Sequence, residues 1–164
     1  MFVTLFRHAE RENTGLENPG LTARGFQQAQ SLLKIIQANQ LPAPQRLFVS
    51  PKIRTQQTFL PTATQLNLPL QILPELDERR NSEPITKFVQ RVQRFINLTS
   101  LDSFGPQSTF LCSHLDWIEE ALLKIPCDVD LLQSRFQIWA PGQFIQFEVH
   151  DELWHFIKAG ELTR

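Results

Sequence analysis

The sequence predicts an α/β fold, namely a three-layer α/β/α sandwich with a mostly parallel central sheet. Short apolar segments rich in strand-forming residues alternate along the chain with longer segments in which apolar residues recur at helical spacing. Strands that alternate with helices favour parallel sheets with helices on both faces. The prolines mostly separate these segments rather than cluster, and 164 residues suit one domain spanning 1–164.

The first half of the chain contains three predicted strands and two predicted helices. The strands are 2–6, 46–49 and 70–72. The helices are 22–39 and 52–66. Thr22 opens the first helix, which carries Leu32 and Ile36 on one face. Pro61 is expected to kink the second helix or to end it early, because proline cannot donate a backbone hydrogen bond.

The second half of the chain continues the alternation and ends in a predicted hairpin. Helices are predicted over 84–98 and 115–124, and a buried strand over 108–112. Near the end, Gln143–Val149 and Glu152–Ile157 each alternate between apolar and polar residues. The two runs flank His150–Asp151, which favours a terminal hairpin with its turn at these two residues.

Composition and charge argue against several classes of function. A net charge of −1 and a sequence pI near 6.4 provide no basic field for nucleic acid. No apolar stretch approaches the roughly 18 residues of a membrane-spanning helix, and residues 1–8 become charged too early for a signal peptide. We therefore expect a soluble, cytoplasmic protein without nucleic-acid or membrane partners. Cys112 and Cys127 are expected to be small buried hydrophobic residues.

Polar residues follow three of the predicted strands at the point where each strand ends. These groups are Arg7-His8, Ser50-Pro51 and Ser113-His114. In α/β sheets, ligands bind beyond the carboxyl ends of the parallel strands. We therefore expect the three groups to converge in space and to form the functional site.

The middle group indicates an anion site. Ser50 and Pro51 suit a helix start, with Ser50 as N-cap and Pro51 at the first helical position. Arg54 then lies in the first helical turn, where a cation opposes the helix dipole. The mismatch disappears when an anion binds between the guanidinium and the helix amides.

Together these motifs resemble those of the histidine phosphatase superfamily, whose fold is called phosphoglycerate-mutase-like. The family shows Arg-His-Gly, then Ser-Pro-x-x-Arg-x-x-Gln-Thr, then Gly-His or Ser-His. In this chain the corresponding segments are 7–9, 50–58 and 113–114, and Leu21–Gly25 matches the start of the family's first helix. Ala9 replaces the usual glycine, a change that matters only if the backbone there requires a positive φ.

The resemblance implies a role for each matching residue. His8 is the expected nucleophile, and a neutral imidazole is nucleophilic near neutral pH. Arg7 and Arg54 would hold the phosphoryl oxygens through forked donors, with His114 and Ser113 as further phosphate-binding residues. No cofactor or metal is expected, because two arginines make a zinc site at His8 and His114 electrostatically poor.

The general acid is less well defined by the sequence. Glu78 follows Leu76 at the family's spacing and is the first candidate, while Glu75 is the second. Arg79 is a candidate for a further cation near the substrate. Asp116 is expected to be an exposed residue in the first turn of its helix, with contact to a basic part of the substrate as the alternative.

The compact chain looks similar to the small SixA-type phosphohistidine phosphatases, which lack this acid because imidazole is an easy leaving group. A working Glu78 would instead favour alcohol or phenol esters. We expect a phosphatase acting on a phosphorylated small molecule or phosphoprotein. A mutase that returns the phosphoryl group, and a phosphoryl-binding module without turnover, are the alternatives. The oligomeric state is not indicated.

Overall fold

A computed structural model describes residues 1–100, 108–137 and 139–162. Its strands are β1 (Phe2–Arg7), β2 (Arg46–Val49), β3 (Leu70–Ile72), β4 (Ser108–Ser113), β5 (Gln143–His150) and β6 (Leu153–Glu161). Its α-helices are α1 (Ala23–Gln37), α2 (Ile53–Leu66), α3 (Ile85–Ser100) and α4 (Leu115–Leu122), and short 3₁₀ turns span Pro74–Leu76 and Ser134–Phe136. Every predicted helix and strand is therefore present, with small shifts at the ends.

The six strands form one sheet in the order β3-β2-β4-β1-β5-β6. Strands β1 to β4 are mutually parallel, whereas β5 runs antiparallel to β1 and β6 antiparallel to β5. This arrangement confirms the mostly parallel sheet and the terminal hairpin. In the register, Arg7 pairs with Ser113 and Val49 with Cys112, so β1, β4 and β2 end side by side.

Helices cover both faces of the sheet, which confirms the three-layer α/β/α prediction. Alternate residues of a strand point to opposite faces. Phe6 packs against Phe59 of α2 on one face, with ring centroids 5.2 Å apart. Leu5 points to the other face, where it shares a buried cluster with Val92 of α3 and Trp117 of α4. Among the described residues, no helix is long and apolar enough to cross a membrane.

Three local expectations need correction. Pro61 lies inside α2, which continues to Leu66, so the helix does not end early. Its flanking residues Phe59 and Ala63 are buried in the core, and this packing outweighs the hydrogen bond that proline cannot make. Strand β6 extends to Glu161, four residues beyond the predicted end. Cys112 is buried as expected, but Cys127 is only partly buried.

Candidate active site

His8 lies just beyond β1 and is held by its backbone and by its ring. Its N–H donates to the Ser113 carbonyl at 3.1 Å, and its carbonyl accepts from Gly142 N–H at 3.0 Å. The ring Nδ1 lies 2.7 Å from the Ala9 carbonyl oxygen. A carbonyl can only accept, so Nδ1 carries the proton and Nε2 keeps its lone pair. The ring is 4% exposed, so its position is fixed by the fold.

His8 is neutral at physiological pH in this environment. Burial lowers the pKa of His8 to about 3, the hydrogen bond to Ala9 opposes the shift, and Arg54, Arg7 and Arg11 add to it. Burial disfavours the charged imidazolium, and nearby cations do the same. The imidazole is therefore unprotonated at Nε2, as a nucleophile must be.

His114 follows β4 and lies beside His8, with ring centroids 5.3 Å apart. Arg54 Nη2 lies 3.1 Å from His114 Nδ1, and because a guanidinium only donates, Nδ1 accepts. His114 Nε2 lies 2.7 Å from the Ser50 hydroxyl and carries the ring proton. Burial places the pKa of His114 well below its usual value, and the charge of Arg54 lowers it further.

Ser50 therefore has a different role from the predicted one. The N-cap of α2 is Lys52, and Ser50 and Pro51 precede it. The Ser50 hydroxyl accepts from the Lys52 N–H at 3.1 Å and contacts the Thr55 hydroxyl at 3.0 Å. The N-cap assignment was wrong because the hydroxyl is used by a histidine 64 residues away, which no local pattern reveals.

Two arginines converge on the same edge of the sheet. Arg54 lies in the first turn of α2 and is 3% exposed, and Arg7 ends β1 and donates through Nη1 to the Trp139 carbonyl. The Nε atoms of Arg7 and Arg54 are buried and have no hydrogen-bond partner among the described residues. Burial lowers the pKa of Arg7, and Arg11 lowers it further, while Glu119 opposes both. Buried guanidinium donors without partners suit an oxyanion.

Glu78 is the predicted acid that reaches this group. Its Oε2 accepts from Arg54 Nη2 at 2.5 Å and lies 3.7 Å from His114 Nδ1, and its Oε1 lies 3.4 Å from Lys52 Nζ. Burial favours the neutral acid, but hydrogen bonding to Arg54 and the charges of Arg54 and Lys52 lower the pKa of Glu78 overall. The side chain of Glu75, the second candidate, is exposed on a surface groove shared with Arg80 and Lys87.

Ser113 and Asp116, two further residues singled out from the sequence, form hydrogen bonds to the segment around Glu78. The Ser113 hydroxyl donates to the Leu76 carbonyl at 2.7 Å, so its proton is not available to a phosphate. Asp116 is half-buried rather than exposed, and its carboxylate accepts from the Arg79 N–H at 2.8 Å. Asp116 lies in the first turn of α4, as predicted, but it anchors the loop that follows Glu78. The Arg79 side chain is exposed.

The remaining motif residues support the loop after His8. The Thr58 hydroxyl donates to the Arg54 carbonyl at 2.7 Å and accepts from the Ala9 N–H at 3.0 Å. Ala9 is buried and its φ is not positive, so the backbone there does not require glycine. Gly25 is different, because a Cβ there would collide with the Glu10 carbonyl. These contacts connect α1 and α2 to the position of His8.

In the described ranges, no three histidine, cysteine, aspartate or glutamate side chains are grouped so that they could hold a metal ion.

Fold and site together define an α/β domain in which two buried histidines and two arginines meet at the carboxyl ends of parallel strands. Residues 3–83 match the profile of the histidine phosphatase superfamily (branch 1).

Solved structures share the fold over nearly the whole chain. The protein histidine phosphatase SixA, solved with tungstate, superimposes with a TM-score of 0.75 and 20% identity, covering 98% of this chain and 97% of that chain. A putative alpha-ribazole-5'-P phosphatase from Escherichia coli str. K-12 substr. MG1655 superimposes with a TM-score of 0.76 and 21% identity. This match covers 100% of this chain and 96% of that chain. At these identities the similarity concerns the fold.

One curated protein shares a segment of sequence. The chain is 44% identical over 66 residues to the PE-PGRS family protein PE_PGRS11 of Mycobacterium tuberculosis (strain ATCC 25618 / H37Rv). The match covers 40% of this chain and 11% of that protein, so the chain corresponds to a small part of that relative.

Proposed function

We propose that this protein is a metal-independent phosphatase that hydrolyses phosphomonoesters or phosphohistidine through a covalent phosphohistidine on His8. The observation that carries the proposal is the hydrogen bond from His8 Nδ1 to the Ala9 carbonyl. It leaves Nε2 unprotonated in a buried site next to Arg54 and His114. Such an imidazole combines a free lone pair with donors for the group that it attacks.

The reaction has two balanced steps. His8 Nε2 attacks phosphorus, the bond from phosphorus to the leaving oxygen or nitrogen breaks, and the leaving group takes the electron pair and a proton from Glu78. Water then attacks the phosphoryl group and gives a proton back to Glu78, the P–N bond breaks, and phosphate and neutral His8 are released. Arg7, Arg54 and His114 stabilise the charge on the phosphoryl oxygens in both steps. The buried Nε donors of both arginines support this role.

Glu78 serves as the acid in this proposal, but only after substrate binds. In the resting site it is ionised, because Arg54 and Lys52 hold its carboxylate. A phosphoryl group that takes the donors of Arg54 removes this contact and adds negative charge beside Glu78. Both changes raise the pKa of a carboxyl group. Substrates with good leaving groups, such as phosphohistidine and aryl phosphates, depend least on this acid.

The test is phosphate release from an aryl phosphate in the presence of a chelator. Wild type should release phosphate, and His8→Ala should lose on the order of 10³-fold or more of kcat/KM. His155→Ala is the matched control, because His155 is a partly exposed histidine on β6. Equal activity of wild type and His8→Ala would contradict catalysis through His8. Binding of phosphate by wild type without any turnover would favour the phosphoryl-binding module instead.

A phosphohistidine peptide and an alkyl phosphate, assayed alongside, separate the two substrate classes. A preference for phosphohistidine is expected if the leaving group needs little protonation. Transfer of the phosphoryl group to an added alcohol, rather than to water, would favour the mutase alternative.

A further inference from the structure

A second carboxylate lies behind the site and has no part in the proposed reaction. Asp77 is 4% exposed, and its Oδ2 accepts from Arg80 Nε at 3.3 Å. Its other oxygen, Oδ1, is buried without a hydrogen-bond partner among the described residues. This Oδ1 lies 4.0 Å from His114 Nε2. A buried carboxylate oxygen without a donor is unfavourable, so it calls for a partner in another state of the protein.

The hydrogen bonds around His114 define which nitrogen carries the proton in the resting site. Nδ1 accepts from Arg54, and Nε2 donates to Ser50. Nδ1 is also the nitrogen nearer Glu78, so it is on the side of the phosphoryl-binding groups. Nε2 is on the opposite side, towards Ser50 and Asp77.

This tautomer cannot hold a phosphoryl group. The lone pair of Nδ1 would face an anionic oxygen, and the two would repel each other. To donate to a phosphoryl oxygen, Nδ1 needs a proton. Nε2 keeps its own, because the Thr55 hydroxyl donates to backbone carbonyls and so accepts the proton of the Ser50 hydroxyl, which is left to accept from Nε2. His114 must therefore become an imidazolium when the anion binds, by taking one proton from solvent.

The charges around His114 make this protonation difficult without compensation. The titratable side chains that face it come from three places in the chain. Arg7 and His8 lie at the end of β1 and just beyond it, Lys52 and Arg54 at the start of α2, and Asp77 and Glu78 in the loop after the first 3₁₀ turn. The cations oppose a further positive charge. The Glu78 carboxylate forms ion pairs with Arg54 and Lys52. Asp77 is the carboxylate that lies beside Nε2 of His114.

We propose that Asp77 is a positioning residue that stabilises the doubly protonated form of His114 when the phosphoryl group is bound. Asp77 does not touch substrate; it acts through the Nε2 side of the ring. The inference rests on the proposed function only in taking His114 as a ligand of the phosphoryl group.

Binding of tungstate tests the proposal without turnover. This phosphate-shaped dianion carries no titrating proton near neutral pH, so protons taken up on binding come to the protein. Calorimetry in two buffers of different ionisation enthalpy should show proton uptake when wild type binds tungstate. Glu78→Gln, in which residue 78 cannot gain a proton, should still take up about one proton per anion. Asp77→Asn keeps the shape of the side chain but removes its negative charge. This variant should take up fewer protons than wild type and should bind tungstate about tenfold more weakly. Arg80→Ala is the control, since it removes only the contact to Oδ2.

The pH profile of activity separates this role from a structural one. The pH dependence of kcat reports groups in the enzyme–substrate complex, so in Asp77→Asn the alkaline limb of kcat should move to lower pH by about one unit, whereas in Arg80→Ala it should stay in place. A uniform loss of activity with an unmoved limb, or tungstate binding by Glu78→Gln without proton uptake, overturns the proposal. Proton uptake by Glu78→Gln is measured with Asp77 in place, so protonation of His114 is tested even if Asp77→Asn does not fold. Absence of phosphate release by wild type would count against the proposed function, and the tungstate measurement would still decide the role of Asp77.

Discussion

The four histidines of the chain form two pairs in contrasting surroundings. His8 and His114 have ring centroids 5.3 Å apart and are 4% and 2% exposed. His150 and His155, on the β5–β6 hairpin, have centroids 6.1 Å apart, with side chains 55% and 39% exposed. Residue type and spacing are therefore nearly the same in the two pairs.

The charged neighbours also differ. Arginines flank the buried pair, and the carboxylates of Glu78 and Asp77 lie 3.7 and 4.0 Å from His114, beyond hydrogen-bond distance. Each histidine of the exposed pair instead contacts a carboxylate, Glu148 at 2.9 Å and Asp128 at 3.2 Å. Burial and cations keep the first pair neutral and leave donors for an anion, while water screens the second pair. Burial and the charges of the neighbours therefore distinguish the first histidine pair from the second.

The largest effect is expected for a substitution in the buried histidine pair. His114→Ala removes a proposed phosphoryl ligand and leaves Arg54 and Ser50 without their contact to the imidazole. The loss in kcat/KM for an aryl phosphate should be on the order of 10²- to 10³-fold, the usual cost of one transition-state donor. His150→Ala, at the exposed pair, should change it less than about twofold. Similar losses in both variants would mean that the activity does not depend on the buried pair.

The next effect concerns the free energy of unfolding at acidic pH, which should depend on the buried histidine pair. Because the pKa of His8 falls to about 3 in the folded protein from 6.5, the unfolded chain binds more protons between these values. The stabilising effect of neutral His8 is complete above pH 6.5 and is lost as the pH falls towards 3. His8 alone then lowers the free energy of unfolding by up to about 1.4 kcal/mol per pH unit.

Urea unfolding at a series of pH values measures this slope. His8→Asn, which stays neutral, should remove the share of His8 and flatten the dependence below pH 6.5. His150→Asn should keep the wild-type slope, because His150 is exposed. An unchanged slope in His8→Asn would show that His8 is charged in the folded protein.

The residues that could be predicted from the sequence are those whose roles depend on neighbours along the chain. His8, Arg54 and His114 stand at strand or helix ends, and the parallel sheet brings such ends together. Asp77 could not be singled out, because its burial depends on the packing of the loop that carries it. The Ser50–His114 and Ser113–Leu76 hydrogen bonds span 64 and 37 residues, and no local pattern contains such pairings.

The fold shows the same division. Helices and strands follow the spacing of apolar residues, and the predicted span 46–49 coincides with β2. The length of β6 depends instead on pairing with β5, where Gln143 faces Glu161, and its own sequence beyond Ile157 does not show this. Pro61 remains in α2 for a similar reason, since core packing around it is a tertiary effect.

Glu78, the proposed general acid, is expected to affect the activity less than the buried histidines. Glu78→Gln should lower kcat/KM for an alkyl phosphate by about tenfold and for an aryl phosphate by less than about threefold. The expected loss is small for a general acid because Arg54 and Lys52 keep Glu78 ionised in the resting site. Glu75→Gln is the matched control on the exposed side of the same loop. An equal loss with both substrates would assign Glu78 to binding rather than to protonation.

The smallest effect is expected at the exposed pair itself. His150 Nε2 lies 2.9 Å from Glu148 Oε1, closer than the 3.7 Å between His114 Nδ1 and Glu78 Oε2. A double-mutant cycle with His150→Ala and Glu148→Ala should nevertheless give a coupling below about 0.5 kcal/mol, because water screens exposed ion pairs. The coupling should fall further with added salt. A coupling above about 1 kcal/mol that persists in salt would mean that proximity, rather than burial, sets the strength of histidine contacts in this protein.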